Sequence, residues 1–168
     1  MTISMYQASV PRFVNILNNL SKILDKTQAH IDAKKIADAT LTGDRLFPDM
    51  LPMTTQVQIA CDTAKGVVAK LSGVDAPAFE DKEITLAELK ARIAKTIAFI
   101  QSVPAEKIDG TEDKAIVTKR GDKETHYKGM QFLLGHAVPN FYFHVATTYN
   151  ILRHNGVEIG KRDYLGNP

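Results

Sequence analysis

The stretch GHAVPNFYFHVATTYNILRHNG, residues 135–156, carries the pattern that decides the fold. After Pro139, its inward-facing positions recur at steps of three and four, which places them on one side of an α-helix. Those positions are Phe141, Val145, Thr148 and Leu152. Gly156 then stands where helices commonly end. The stretch predicts a helix from Pro139 to about His154 with one buried face.

Three other segments show the same helical period, and they run from Ser4 to about Thr27, from Thr54 to Ser72 and from Thr85 to about Ser102. The third begins with TLAE, residues 85–88, which is typical of a capping box. Four amphipathic helices must cover one another's apolar faces. The sequence therefore predicts an all-α, up-down four-helix bundle, with residues 1–168 forming a single domain.

The connections between these helices carry additional structure. Residues 28–41, QAHIDAKKIADATL, predict a short extra helix after the first long one. Between the third and fourth helices, KAIVTKRGDKETHYKG at residues 114–129 alternates as a β-hairpin does, with RGDK at residues 120–123 as its turn. An isolated hairpin is marginally stable, so we expect this one to pack on the end of the bundle. The tail after Gly156 is expected to be mostly irregular and docked.

Composition argues against several classes of protein. The net charge is +2, from 21 basic and 19 acidic residues that are scattered along the chain, which does not favour nucleic-acid binding. No run of 18 apolar residues occurs, so we expect no membrane partner. Cys61 is the only cysteine and the first residues lack a signal-peptide pattern. Both features favour the cytoplasm.

His136, Asn140 and His144 follow one another at intervals of four residues. Four residues of α-helix rise about 6 Å, so adjacent members of this series can share a ligand, whereas the two histidines lie about 12 Å apart. That separation is too long for one metal ion. Pro139 cannot donate to the carbonyl of residue 135, so we expect the helix to kink or begin there, with residues 131–136 forming a separate short helix.

Two interpretations of Asn140 and His144 remain open, because both lie at the edge of the predicted core. They can hydrogen-bond each other or side chains of the second helix, or they can bind a ligand or metal. A catalytic zinc site normally uses three protein ligands, and the second helix contains no histidine. Its candidate donors are Gln56, Gln58, Cys61 and Asp62, of which Asp62 or Cys61 could ligate a metal. For Cys61 we expect an inert, partly buried thiol, since no basic residue adjoins it.

Two motifs carry a resemblance to a known family. LPMTTQVQIACDTAKG at residues 51–66 and VPNFYFHVATTYNILRHNGVEIGKRDYLG at residues 138–166 resemble the bacterial family called domain of unknown function 1993. That family is similar to the DinB/YfiT-like superfamily of four-helix bundles. The resemblance implies a bundle of this type, often dimeric, in a group where many members are regarded as metalloenzymes and some transfer low-molecular-weight thiols such as bacillithiol or mycothiol.

The resemblance also implies where a metal site would lie. In metal-binding members of the superfamily, one histidine comes from the second helix and a pair spaced four residues apart comes from the last long helix. By this pattern the pair falls on Asn140 and His144, and the second-helix histidine falls near Gln56 or Gln58. Two of the three ligands are therefore replaced. This implies a degenerate site without a tightly bound metal. Any metal would be held by His144 together with His136 or Asp62.

These observations predict a small-molecule pocket between the second and fourth helices. Its candidate lining residues are Gln58, Asp62, His136, Asn140, His144 and Tyr149. One alternative is a metal-dependent transferase of low-molecular-weight thiols. Another is a non-enzymatic, stress-associated homodimer that pairs through outward apolar residues such as Phe99 or Val68. The sequence does not decide whether the protein is an enzyme.

Overall fold

The computed structural model describes residues 3–166, apart from the side chain of Arg120. Its α-helices are α1 (Met5–Lys34), α2 (Asp38–Thr42), α3 (Met53–Ser72), α4 (Leu86–Ser102), α5 (Gly129–Phe132), α6 (Val138–His154) and α7 (Lys161–Leu165). Strands β1 (Ala115–Arg120) and β2 (Lys123–Lys128) form an antiparallel pair. A 3₁₀ turn spans Ala105–Lys107 and a π-helical turn spans Leu133–Ala137. The fold is mostly helical with a small two-stranded sheet.

The four long helices enclose one apolar core. Helix α1 packs against α3, α4 and α6, and α3 packs against α4 and α6. Phe13 and Phe141 meet edge to face at the centre, with ring centroids 4.8 Å apart and no exposed surface. The helical periods in the sequence select residues that are buried on every long helix, among them Leu17, Val57, Leu89 and Val145. The four predicted long helices are thus confirmed.

Helices α3 and α4 run in the same direction, so the predicted up-down order is wrong at the third long helix. Residues 73–85 return along α3 instead of turning tightly, and Glu83 accepts a hydrogen bond of 2.9 Å from Gln58, near the start of α3. Beyond the end of α4, Lys114 donates to the carbonyl of Leu71, at the end of α3 (2.7 Å). A long connection permits this parallel arrangement, whereas a short one would force antiparallel neighbours.

The end of α1 differs from the predicted extra helix over residues 28–41. Helix α1 continues to Lys34 because no glycine or proline interrupts it there and Ile31 extends its buried face. It ends at Lys35, whose φ of 53° is left-handed. The predicted extra helix is confirmed only as the short α2, Asp38–Thr42.

The β-hairpin forms in the predicted place. Ala115 pairs with Lys128 and Arg120 pairs with Lys123 on either side of the turn. Ile116 is buried in the common core, which attaches the hairpin to the helices. The chain then passes directly into α5 at Gly129, against the loop that precedes β1.

We expect Gly129→Ala to destabilise the protein by about 1–3 kcal/mol, because a methyl group at this position has no room. An added Cβ would lie 2.0 Å from the carbonyl oxygen of Thr111. Gly135→Ala is the matched control, since a Cβ there meets nothing within 4 Å. Urea unfolding measures the free energy of unfolding of both variants. Equal stabilities would show that this close approach is not a constraint.

Pro139 is accommodated by a π-helical turn. The N–H of Val138 donates to the carbonyl of Leu133, five residues back, and the dihedral angles stay in the right-handed helical region. The wider turn shifts the hydrogen-bond register, so the missing N–H of the proline is tolerated. The predicted helix start at Pro139 is confirmed to within one residue. The predicted separation of residues 131–136 into another helix is wrong, because the chain stays helical throughout.

The tail docks as expected, although it is more regular than predicted because it contains α7. Asn19 donates to the carbonyl of Tyr164 (3.2 Å), and Lys26 forms an ion pair with Asp163 (2.6 Å). Both contacts hold α7 on α1. In the described part of the chain, residues 3–166, no helix is both long enough and apolar enough to cross a membrane.

Candidate functional site

His144 lies on α6 and faces α3, where it meets Gln56. Its Nδ1 is 2.6 Å from the Gln56 side-chain oxygen. The amide group of Gln56 donates to the carbonyl of Leu51 (2.9 Å), which fixes the orientation of the amide. The oxygen therefore accepts from His144, and this network assigns the imidazole proton to Nδ1. The lone pair of His144 is left on Nε2.

The environment of His144 keeps the imidazole neutral. Its side chain is largely buried between α6 and α3. Burial lowers the pKa of His144, because a charged imidazolium loses solvation there. The ring also meets Phe143 edge to face, with centroids 5.2 Å apart. A neutral imidazole with a fixed tautomer can accept a hydrogen bond or a proton at Nε2.

Asn140 lies one helical turn before His144 and also reaches α3. It donates to the hydroxyl of Thr63 at 2.9 Å. Asn140 and His144 therefore bond to side chains of the second long helix and not to each other. The structure shows the predicted hydrogen bonding to the second long helix, and a ligand role for either residue stays a prediction. The two hydrogen bonds fix the register of α6 against α3.

Gln58 and Asp62 face α4, away from His144. Gln58 donates to Glu83 (2.9 Å), and Asp62 accepts from Arg92 (2.9 Å). Gln56 and Gln58 are two residues apart, so their side chains leave α3 in nearly opposite directions. These two candidate residues belong to a different part of the molecule.

The remaining candidates lie at two further places. His136 is exposed and lies tilted against Tyr127 of the hairpin, with ring centroids 5.6 Å apart. Tyr149 meets Tyr164 of α7 edge to face at 6.1 Å. The structure therefore brings Asn140 and His144 together along the contact between α6 and α3, and it brings Gln58 and Asp62 together around Glu83 and Arg92. The predicted small-molecule pocket stays a prediction.

A buried ion cluster around Arg92 was not predicted from the sequence. Its side chain is 1% exposed, and its Nη2 is 2.9 Å from carboxylate oxygens of both Asp62 and Asp81. Its Nη1 is 3.0 Å from Glu83. Lys65 adds a second cation and lies 4.0 Å from the centre of the Phe79 ring. A sequence signal was present, because Arg92 falls beside Leu89 and Ile93 on the buried stripe of α4.

Opposing effects set the pKa values in this Arg92 cluster. Burial raises the pKa of Glu83, but hydrogen bonds from Gln58 and Arg92 outweigh this effect and lower it overall. Burial lowers the pKa of Arg92, but its carboxylate neighbours outweigh that effect and raise the pKa overall. Glu83 and Arg92 are therefore both charged near neutral pH. Because Asp81 and Glu83 belong to residues 73–85, the cluster fastens this connection onto α3 and α4.

A cavity of about 410 Å³ lies beside the Arg92 cluster, lined by residues that include Phe79, Glu88 and Lys95. His144 does not line it. Arg92 and Glu83 also line this cavity, but the guanidinium already bridges three carboxylates and its unpaired Nε is buried. We regard the cluster as structural.

The donor set around His144 does not fit the metal site that the family resemblance implies. Gln56 and Asn140 supply neutral amides, and each amide nitrogen already donates to another group. Burial raises the pKa of Cys61 to about 12, so this thiol stays protonated and inert. Within residues 3–166, no three His, Cys, Asp or Glu side chains come together in a way that could hold a metal ion.

Comparison with known proteins places this geometry in a family. A family model described as "Domain of unknown function (DUF1993)" matches residues 5–165. The fold is similar to the crystal structure of a DinB family member protein from Shewanella denitrificans, with a TM-score of 0.88 and 41% sequence identity. That similarity covers 97% of this chain and 92% of the other. Comparison with curated proteins gives no match. The chain belongs to the DUF1993 family, as its two sequence motifs predicted.

Proposed function

We propose that this chain is a cytoplasmic DinB-like four-helix-bundle protein with a degenerate metal site, where a small molecule binds at His144 without a metal ion. The observation that carries the proposal is the 2.6 Å hydrogen bond between His144 and Gln56. By resemblance, the second-helix histidine of metal-binding relatives falls near Gln56 or Gln58, and of these two Gln56 contacts His144. In this structure, the side-chain oxygen of Gln56 accepts a hydrogen bond from Nδ1 of His144.

The contact with Gln56 leaves His144 able to accept a hydrogen bond or to act as a general base. Gln56 and the carbonyl of Leu51 fix the imidazole tautomer, so Nε2 retains a lone pair. Burial keeps the imidazole neutral at pH 7. The ligand class that fits this arrangement is a small molecule that donates a hydrogen bond to Nε2, with Asn140 one turn away as a second polar group.

The alternative of a metal-dependent thiol transferase has less support. It requires His136 or Asp62 as a second ligand beside His144. His136 lies against the hairpin, and Asp62 pairs with Arg92 on the opposite side of α3. Recruiting Asp62 would leave the buried guanidinium of Arg92 with fewer partners, which is costly.

The tautomer of His144 tests the proposal. We expect long-range ¹H–¹⁵N NMR at about pH 7.5 to show a protonated Nδ1 and an unprotonated Nε2. Gln56→Ala should remove this preference, because the acceptor for Nδ1–H is lost. Gln58→Ala is the matched control and should leave the signals unchanged, since Gln58 bonds to Glu83 instead. A tautomer protonated at Nε2 in the unmodified protein would contradict the proposal.

A further inference from the structure

The cavity beside the Arg92 cluster has a volume of about 410 Å³, which lies in the range of small-molecule sites, roughly 300–1,000 Å³. One wall is formed by residues of the irregular segment 78–83, which belongs to the connection between α3 and α4. The other wall is one face of α4, formed by Glu88, Ala91, Arg92 and Lys95. We call this space the α4 cavity.

Buried cations fix the segment that forms the first wall. Arg92 donates to the carbonyl of Glu80 (3.2 Å), and Lys65 donates to the carbonyl of Pro77 (2.9 Å). Both cations lie in the protein interior, where they also pair with Asp62. The α4 cavity therefore lies between a long helix and a segment that is already held in place, as is usual for preformed ligand sites.

The middle of the α4 cavity is apolar. Ala91 lies on α4 between Glu88 and Lys95, and its short side chain leaves the space open. Phe79 lies on the other wall, and the ammonium of Lys65 lies 4.0 Å from the centre of its ring. Phe79 is still partly exposed, so part of the ring is free for contact. An apolar side chain of a ligand would pack between Phe79 and Ala91.

The two ends of the α4 cavity carry opposite charges. Glu88 and Lys95 are seven residues apart, so they lie on the same face of α4, about 10 Å from each other along its axis. Among the described side chains, neither of them forms an ion pair. Hydrogen bonds from the backbone N–H groups of Ile84 and Thr85 lower the pKa of Glu88, so this carboxylate is charged at neutral pH.

The other charges around the α4 cavity have partners. Glu80 and Lys82 pair with each other at 2.8 Å, and Glu83 pairs with Arg92 at 3.0 Å. The segment also offers hydrogen-bond donors, because within residues 3–166 the backbone N–H groups of residues 78–82 donate to no other backbone group. A ligand would therefore meet one free carboxylate, one free ammonium and several backbone donors.

We propose that the α4 cavity binds a short peptide with free ends. Its N-terminal ammonium pairs with Glu88, its C-terminal carboxylate pairs with Lys95, and an apolar side chain packs between Ala91 and Phe79. Three extended residues span about 10 Å, which matches the separation of the two charges along α4. Peptide carbonyl groups also accept hydrogen bonds from backbone N–H groups. A simple anion or cation would use only one of the two charges.

This site is formed by a single chain. The sequence suggested a dimer through outward residues such as Val68, but Val68 is fully buried in the core, so its expected outward position is wrong. Phe99 is only partly exposed and packs on the core. His144 does not line the α4 cavity, so peptide binding here does not depend on what binds at His144.

Titration of the ¹⁵N-labelled protein with the tripeptide Ala-Phe-Ala, followed by ¹H–¹⁵N NMR to about 10 mM peptide, tests the inference. We expect saturable shifts in residues 78–83 and 88–95 with a Kd on the order of 0.1–1 mM, because exposed ion pairs each contribute little. The same peptide with an acetylated N-terminus and an amidated C-terminus should bind about 10-fold more weakly, since it lacks both charges.

Two pairs of variants locate the site. Ala91→Leu should weaken binding at least ~10-fold, because the longer side chain fills the middle of the cavity. Ala94→Leu is the matched control, since Ala94 is also exposed but lines a depression between α4 and α1. Lys95→Ala should weaken binding about 3–10-fold. Lys90→Ala should leave the affinity unchanged, because Lys90 pairs with Asp25 of α1.

Three results would overturn the inference. The first is an absence of saturable shifts in residues 78–83 and 88–95, including the case in which shifts are confined to His144 and its neighbours. The second is an equal affinity of Ala91→Leu and Ala94→Leu for the peptide. The third is an equal affinity of the unmodified protein for the free and the capped peptide. The His144 tautomer is measured without peptide, so failure here leaves the proposed function standing.

Discussion

Arg92→Ala is expected to lower the free energy of unfolding by about 3 kcal/mol or more, which makes it the most damaging single change at a charged residue. The guanidinium is 1% exposed and bridges three carboxylates. Asp81 is 63% exposed and can be hydrated after the change, so the loss of its ion pair with Arg92 costs little. Glu83 is 14% exposed and would keep a poorly solvated charge, and residues 73–85 would lose their main attachment.

Urea unfolding measures this effect, and two other variants interpret it. Arg92→Lys should fall between the unmodified protein and Arg92→Ala, because one ammonium cannot replace a forked guanidinium. Lys90→Ala is the matched control on the same helix, since its partly exposed pair with Asp25 should contribute about 0–1 kcal/mol. If Arg92→Ala and Lys90→Ala cost the same, the cluster does not stabilise the connection.

The double variant Gln56→His with Asn140→His is expected to bind Zn²⁺ at least ~100-fold more tightly than the unmodified protein. It restores histidines at the positions where the resemblance places ligands, beside the existing His144. The 2.6 Å contact between His144 and Gln56 shows that a side chain at position 56 reaches the imidazole. Isothermal titration with Zn²⁺ measures the gain.

A second double variant controls for added histidines. Gln58→His with Asn140→His introduces the same number of imidazoles, but position 58 faces Glu83 on the other side of α3. This variant should gain little affinity. If the two double variants bind Zn²⁺ equally, position 56 is not the lost ligand position, and the argument for a degenerate site at Gln56 would fail.

The parts of the fold that follow from local sequence could be predicted. The helix around Leu86 and Leu89 begins where its capping box does, because Thr85 and Glu88 bond reciprocally within one turn. The direction of α4 could not be predicted in this way. It depends on how residues 73–85 lie on α3, and that path is set by contacts such as Gln58 with Glu83, between residues far apart in sequence.

The candidate site shows the same division between local and long-range information. Spacing alone placed Asn140 and His144 on one face of a helix, and the structure shows that face against α3. Spacing could not decide between Gln56 and Gln58 as the partner, because that choice depends on how α3 is rotated against α6. His136 lies within the π-helical turn that precedes α6, a feature that the sequence marks only through Pro139.

The metal content of the unmodified protein decides whether the site at His144 is degenerate. The protein would be loaded with excess Zn²⁺ or Ni²⁺, desalted, and subjected to elemental analysis, with His144→Ala in parallel. Because the donor set at His144 does not hold a metal, we expect far less than one ion per chain and no difference between the two proteins. About one ion per chain, lost in His144→Ala, would contradict it.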